Sequence, residues 1–142
     1  MKTDVVYYSV TGNTRKIADV IARTVHCEAR QAQQDPPAYD ADIVFVGGAV
    51  YATSGHNLHP SIQLFADRLK ASGYRGRIAL FATGFKKGNA IGFMRKVFQE
   101  RGLKTLEESF WCKGQLFLFM KGHPDRNDME EAAAFAAKTI AS

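Results

Sequence analysis

Three short apolar runs, each closed by small turn-forming residues and separated by helix-period segments, limit what this chain can fold into. Val5-Val6-Tyr7-Tyr8, Ile43-Val44-Phe45-Val46 and Ile78-Ala79-Leu80-Phe81-Ala82 are nearly continuous and end in Ser, Gly or Thr-Gly. A strand with one wet face alternates apolar and polar residues, so runs without alternation read as strands buried on both faces. Between them the period becomes helical. Ile17, Val20, Ile21 and Val25 share a face after Thr14, and Ile62, Phe65, Ala66 and Leu69 do so behind Pro60, which suits a first helical position. Ile91, Met94, Val97 and Phe98 form a third face, with Gly102 where a helix end favours a left-handed residue. The last helix opens at Pro124 and Asp125 and turns Met129, Ala132, Ala133, Ala136 and Ile140 inward. Acids crowd its first turns and Lys138 its last, complementing the helix dipole.

Cys27 to Gln31 reads as a weaker strand on a sheet edge, and a fifth strand belongs between Leu106 and Met120. Two segments compete there, Glu107 to Trp111 and Gln115 to Met120. Strands alternating with helices are parallel, joined by right-handed crossovers, with helices on both faces. The expected fold class is therefore α/β, a doubly wound sheet of five parallel strands. There is no internal repeat, low-complexity tract or linker, and Pro36-Pro37 reads as a loop, so residues 1–142 are expected to form a single domain. In such sheets ligands sit outside the carboxyl ends of the strands where the winding reverses. Chemistry is to be sought in the loops after strands one, three and four.

Composition narrows the class further. With 46% hydrophobic and 23% charged residues, the 142-residue chain has the balance of an ordinary soluble globule, not of a disordered chain, a collagen or a disulfide scaffold. Its apolar runs fall far short of the roughly 20 residues that span a bilayer. Met1-Lys2-Thr3-Asp4 sets an acid just before a short strand-like run, unlike a signal peptide, so a cytoplasmic location is expected. Cys27 and Cys112 lie far apart without a CxxC pair and read as reduced, buried thiols. The net charge is +5, and from Arg68 to Lys104 ten basic residues face the single acid Glu100. Such a stretch attracts anionic partners.

The loop after the first strand reads Ser9-Val10-Thr11-Gly12-Asn13-Thr14 and runs directly into a helix. Hydroxyls alternating with backbone N–H groups at a helix N-terminus hold an anion. The plainer alternative is a helix cap with spare hydroxyls. A dinucleotide loop wants G-x-G-x-x-G and a P-loop supplies Gly-Lys-Ser/Thr; this loop has one glycine and no lysine. Hydroxyls and amides alone suit one terminal monoester phosphate, which points to a mononucleotide.

With these segments in hand, the chain resembles a short-chain flavodoxin or a small flavodoxin-like FMN protein. Ser9-Val10-Thr11-Gly12-Asn13-Thr14 matches the family's (S/T)-x-T-G-x-T phosphate signature. Gly47-Gly48-Ala49-Val50-Tyr51-Ala52 is similar to its second flavin loop, and Leu80-Phe81-Ala82-Thr83-Gly84 to the strand entering the third. The resemblance implies the strand order 2-1-3-4-5, FMN as cofactor, and electron transfer rather than turnover of a dedicated substrate. It implies phosphate contacts from Ser9, Val10, Thr11, Gly12, Asn13 and Thr14. Ring contacts fall to Ala49, Val50, Tyr51 and Ala52, with Tyr51 the best stacking residue, and to Thr83, Gly84 and Phe85 on the pyrimidine side. Gly48 or Ser54-Gly55 is placed to let a peptide reorient near the ring's N5.

Two departures stand out: many small relatives carry proline where Ala49 stands, and flavodoxins are commonly acidic whereas this pI is near 9.3. Lys86-Lys87 read plainly as a solvated pair. A lysine about 7 Å from the ring would interact by roughly 1–2.5 kcal/mol at an effective dielectric of about 20–40, on the order of 50–100 mV toward a more positive potential. His56 and His59 lack a neighbouring carboxylate or thiol that would complete a metal site; a histidine facing the flavin would make its potential depend on pH. His26 and His123 read as structural.

The expected function is an FMN electron carrier between a reductase and a recipient enzyme, docking on redox partner proteins with an acidic face. A flavin-dependent NAD(P)H:acceptor reductase on the same fold and a flavodoxin-like activator of a metalloenzyme are the alternatives. Neither a membrane nor nucleic acid is expected as a partner, since the basic stretch lacks a recognition motif or aromatic platform.

Overall fold

The computed structural model describes residues 1–9, 12–32, 40–49, 60–84, 89–114 and 122–142. In chain order the elements are β1 (Thr3–Tyr7), α1 (Asn13–Thr24), β2 (Ala29–Gln31), β3 (Ile43–Gly48), α2 (Pro60–Ser72), β4 (Arg77–Gly84), α3 (Asn89–Glu100), β5 (Lys104–Lys113) and α4 (Arg126–Ala141). The strands form one parallel sheet of order β2-β1-β3-β4-β5. This is the doubly wound α/β architecture expected from the alternation.

The period of two along each strand divides the continuous apolar runs between two cores. Val6, Val44, Val46, Ile78, Leu80 and Ala82 face one side with Ile62, Phe65 and Leu69 of α2 and Met94 and Phe98 of α3. Val5, Tyr7, Ile43, Phe45, Ala79 and Phe81 face the other with Ile17 and Ile21 of α1 and Ala132 and Ala136 of α4. Alanines at those α4 positions leave room for Phe135, which meets Phe45 edge-on at 6.0 Å between ring centroids. Gly47 is equally specific: a Cβ there would fall inside the Phe81 ring of the neighbouring strand.

The fifth strand takes in the first of the two competing segments, and Gln115 to Met120 lies outside the described residues. Its register passes from Ile78↔Thr105 to Leu80↔Ser109. Leu106, Glu107 and Glu108 therefore stand opposite Ala79 alone, an enlarged bulge that interrupts the ladder. Arg95 of α3 covers the irregularity, donating from Nη1 to the Leu106 carbonyl at 2.6 Å and from Nη2 to the Glu107 carbonyl at 3.2 Å. One cation of the basic stretch is thus a structural brace.

Gly102 has φ +75°, the left-handed residue expected after α3. Asp125 caps α4: its Oδ1 accepts from Asp128 N at 2.9 Å, and Asp128 Oδ2 accepts from Asp125 N at 2.9 Å. The Asp128 N–H above all, helped by the Asp128 side chain, His123 and the Asn127 N–H, holds the Asp125 carboxyl below the usual carboxylate range. Both cysteines are free thiols, and burial, followed by Asp128, Asp125 and Glu131, pushes Cys112 up to about 12. Among the described residues no helix is long and apolar enough to cross a membrane.

Gly47→Ala, which drives a methyl into Phe81, is expected to lower stability by about 2–3 kcal/mol, read as a lower urea midpoint at unchanged slope. Asp125→Ala separates a pH-dependent component. A carboxyl whose folded pKa is depressed stabilises fully above its unfolded value and loses that contribution as pH falls through the folded value. The variant should therefore be less stable near neutrality, and its deficit should shrink as pH falls below the unperturbed Asp value near 3.9 and on through the lower folded value. Parallel curves would contradict this.

Candidate functional site at the carboxyl edge of the sheet

The carboxyl ends of β1 and β3 diverge into helices on opposite faces, and α1 begins at this switch point. Beyond Tyr7 the ladder continues through Tyr8 N to the Gly47 carbonyl at 3.1 Å, which holds the exit of β1 against β3. Ser9 Oγ then accepts from Gly12 N at 3.0 Å, closing a tight turn. Gly12 has φ +89°, a left-handed conformation that costs other L-residues roughly 1–2 kcal/mol. It is also the N-cap of α1 and, being glycine, makes no side-chain cap bond.

The N-cap residue itself thus lends no support to the helix-cap reading of the hydroxyl-rich loop, and the described hydrogen bond of Ser9 Oγ lies inside the turn. The first intrahelical bond is Lys16 N to the Gly12 carbonyl at 3.1 Å. The N–H groups of Thr14 and Arg15 precede it and point out of the positive end of the helix.

The first turn of α1 is fastened to strands on the far side of the switch point. Thr14 Oγ1 and Thr83 Oγ1 lie 2.8 Å apart, 69 residues apart in sequence, and the two residues are 1% and 2% exposed. Asn13 lies over the end of β5, where a Cβ on Gly114 would come 3.1 Å from the Asn13 Cβ and 2.8 Å from its Nδ2. Gly114 N in turn donates to the Gly84 carbonyl at 3.2 Å. Ser9, Gly12, Asn13, Thr14, Thr83 and Gly84 are therefore gathered on one edge, with Ala49 half-buried immediately after β3. Val10, Thr11, Val50, Tyr51, Ala52 and Phe85 lie outside the described residues, as do Ser54, Gly55, His56, His59, Lys86 and Lys87.

Sequence reasoning missed Gly114 and the pairing of Thr14 with Thr83. Both are long-range contacts, and the only local signal was a glycine directly after a strand. The basic stretch also divides in space. Arg75, Arg77 and Lys104 line an open groove of about 460 Å³ with Asp40 and Asp42 at the amino ends of β3, β4 and β5. At about 3.3 Å per residue, the eight residues of β4 put that groove about 25 Å from the carboxyl edge. Arg101 is paired with Asp67 at 2.6 Å, and Lys96 with Glu100 at 3.8 Å.

His123, Asp125 and Asp128 bring one ligand atom each within 4.8 Å of one another. Their polar atoms serve the α4 cap, with His123 Nδ1 2.7 Å from Asp128 Oδ2. A cation would sit at the positive end of that helix, where the dipole opposes it.

Fold and edge together define a doubly wound α/β domain with a helix N-terminus, N-capped by glycine, at the topological switch. A family model described as Flavodoxin domain matches residues 5–139, and the chain belongs to that family. No curated protein matches it significantly in sequence. Among solved structures, a flavodoxin from the domain Archaea is similar with TM-score 0.75 at 18% identity, covering 100% of each chain. Oxidised flavodoxin 2 from Bacillus cereus gives 0.73 at 18% identity, covering 99% of this chain and 98% of that one. A flavoprotein from Lactobacillus acidophilus NCFM, solved in complex with FMN, gives 0.57 at 18% identity, covering 79% of this chain and 92% of that one. At such identities the likeness is one of fold.

Gly114→Ala tests how tightly the first turn of α1 is seated. The added methyl is expected to displace Asn13, with amide chemical-shift changes at Asn13 and Thr14 and a stability loss of about 1 kcal/mol. Unchanged shifts at both amides would show that the contact does not position the turn.

Proposed function

We propose that this chain is an FMN-binding electron carrier that takes electrons from a reductase and delivers them to a recipient enzyme. The observation that carries the reading is the N-terminus of α1, whose N-cap Gly12 offers no capping side chain and which faces the carboxyl edge of the sheet. Membership of the flavodoxin family supports the cofactor, as does the fold likeness to a flavoprotein solved with FMN.

In this reading the phosphate lies against the segment Ser9, Val10, Thr11, Gly12, Asn13 and Thr14. Backbone N–H groups at the helix end and side-chain hydroxyls donate to its oxygens, and the helix dipole offsets its charge without a lysine or a metal. Gly12 gives the chain the left-handed turn that brings those donors to one point. Ala49, Val50, Tyr51 and Ala52 flank the ring, with Tyr51 stacked on it, and Gly84 and Phe85 border the pyrimidine side with Thr83 behind them. FMN, when bound, supplies a ring that takes up and returns one or two electrons.

The redox partner is proposed to carry an acidic docking face, and the contact to be small and weakened by salt. Arg75 and Arg77, about 25 Å away along β4, lie beyond the roughly 8 Å reach of a charge at physiological salt. Lys113, paired in register with Gly84, and Lys16 in the first turn of α1 are exposed cations at the carboxyl edge. They are the proposed docking charges, with Lys86 and Lys87 as sequence candidates.

Protein freed of flavin is expected to quench the fluorescence of added FMN stoichiometrically, and the complex to keep its oxidised absorption when NADH or NADPH alone is added. Bleaching by either nucleotide would favour a reductase with its own substrate. No quenching at micromolar protein would exclude FMN as the cofactor.

A further inference from the structure

The buried contact between Thr14 and Thr83 has a chemical direction. The alternation of β4 turns Thr83 onto the α1 face along with Ala79 and Phe81, so its side chain meets the first turn of α1 from below. A hydroxyl has one proton and two lone pairs. At 2.8 Å one of the two hydroxyls donates and the other accepts, and the geometry permits either. The choice decides what Thr14 can offer at the helix end. With Thr14 as donor, its proton is spent inward. With Thr83 as donor, the Thr14 proton is free to point out of the helix, where the N–H groups of Thr14 and Arg15 also point.

We propose that Thr83 is a positioning residue for phosphate recognition: its hydroxyl donates to Thr14 Oγ1 and so fixes the Thr14 hydroxyl as a donor to the phosphate of the cofactor. This rests on the reading that FMN places its phosphate at the N-terminus of α1. A dianion there selects the orientation, because the Thr14 proton is stabilised pointing at negative charge and the two bonds in series polarise one another. In this arrangement Thr83, on the α1 face of β4 below the first turn of the helix, acts on the ligand only through Thr14. Through it, the end of β4, where the third cofactor loop begins, is mechanically tied to the phosphate site.

The test compares FMN with riboflavin, which has the same ring and no phosphate. Dissociation constants are measured by flavin fluorescence quenching for the parent chain, Thr83→Val, Thr83→Ser, Thr14→Val and the double variant Thr14→Val/Thr83→Val. Valine keeps the shape of threonine and removes the hydroxyl. Thr83→Val is expected to weaken FMN about fivefold to tenfold, the effect of one neutral hydrogen bond, with riboflavin changed less than about twofold. Thr83→Ser should restore most of the FMN affinity. In the Thr14→Val background, Thr83→Val should cost nothing further, since it acts through Thr14.

Equal losses for FMN and riboflavin, or an undiminished FMN preference in Thr83→Val, would overturn the proposal and leave the FMN reading intact. A parent chain that binds FMN no more tightly than riboflavin would overturn the phosphate reading and the proposal with it. Should Thr83→Val not fold, Thr83→Ser compared with Thr83→Ala supplies the same ratio and decides the matter in the same way.

Discussion

The pairing of β1 with β3 and of β3 with β4 is the constraint from which the remaining structure follows. These strands are buried on both faces, so a slip of one residue would exchange the two cores: Val44 and Val46 would face α1, and Ile43 and Phe45 would face α2. The register therefore has no near competitor. It is locked by Gly47, which alone leaves space for the Phe81 ring opposite it. Once β1 ends beside Gly47, the chain must leave the sheet at the switch point. The left-handed Gly12 turns it into α1 within a few residues. The position of the helix N-terminus is thus a consequence of sheet register, not of the loop alone.

The edge so formed is polar in a particular way. Its donors are main-chain amides and hydroxyls, and the described cations beside it, Arg15, Lys16 and Lys113, are exposed. A fixed array of dipoles suits an anion held in one orientation, because it needs little rearrangement when the ligand arrives. A mobile lysine would supply more charge with less direction. Thr14 and Thr83, both nearly inaccessible, give this array a rigid backing, and Asn13 over Gly114 gives it a second support from β5. The turn at Ser9 and Gly12 closes the remaining side.

Much of this was legible in the sequence, and the exceptions share a cause. The central strands showed as unbroken apolar runs, Pro60 marked the start of α2, Gly102 the end of α3 and Asp125 the cap of α4. The loop entering α1 showed as a cluster of hydroxyls around one glycine. The start and extent of β5 did not show, because an edge strand with Glu107, Glu108 and Ser109 exposed has no continuous apolar run, and its bulge breaks the period of two. The pairings of Thr14 with Thr83 and of Asn13 with Gly114 are tertiary, and no local pattern announces them. The basic stretch misled for a related reason. Arg75, Arg77 and Lys104 line a groove at the amino ends of the strands, whereas Arg95 braces β5 and Arg101 pairs with Asp67, so a linear cluster of charge is not one surface patch.

The central claim is that the phosphate of FMN is held by the N-terminal turn of α1 at the carboxyl edge. The most direct measurement is a crystal structure of the chain with FMN bound. Phosphate oxygens are expected within hydrogen-bonding distance, about 3 Å, of the Thr14 N–H and hydroxyl. A phosphate lodged instead among Arg75, Arg77 and Lys104 at the amino edge, or left in solvent, would contradict the claim.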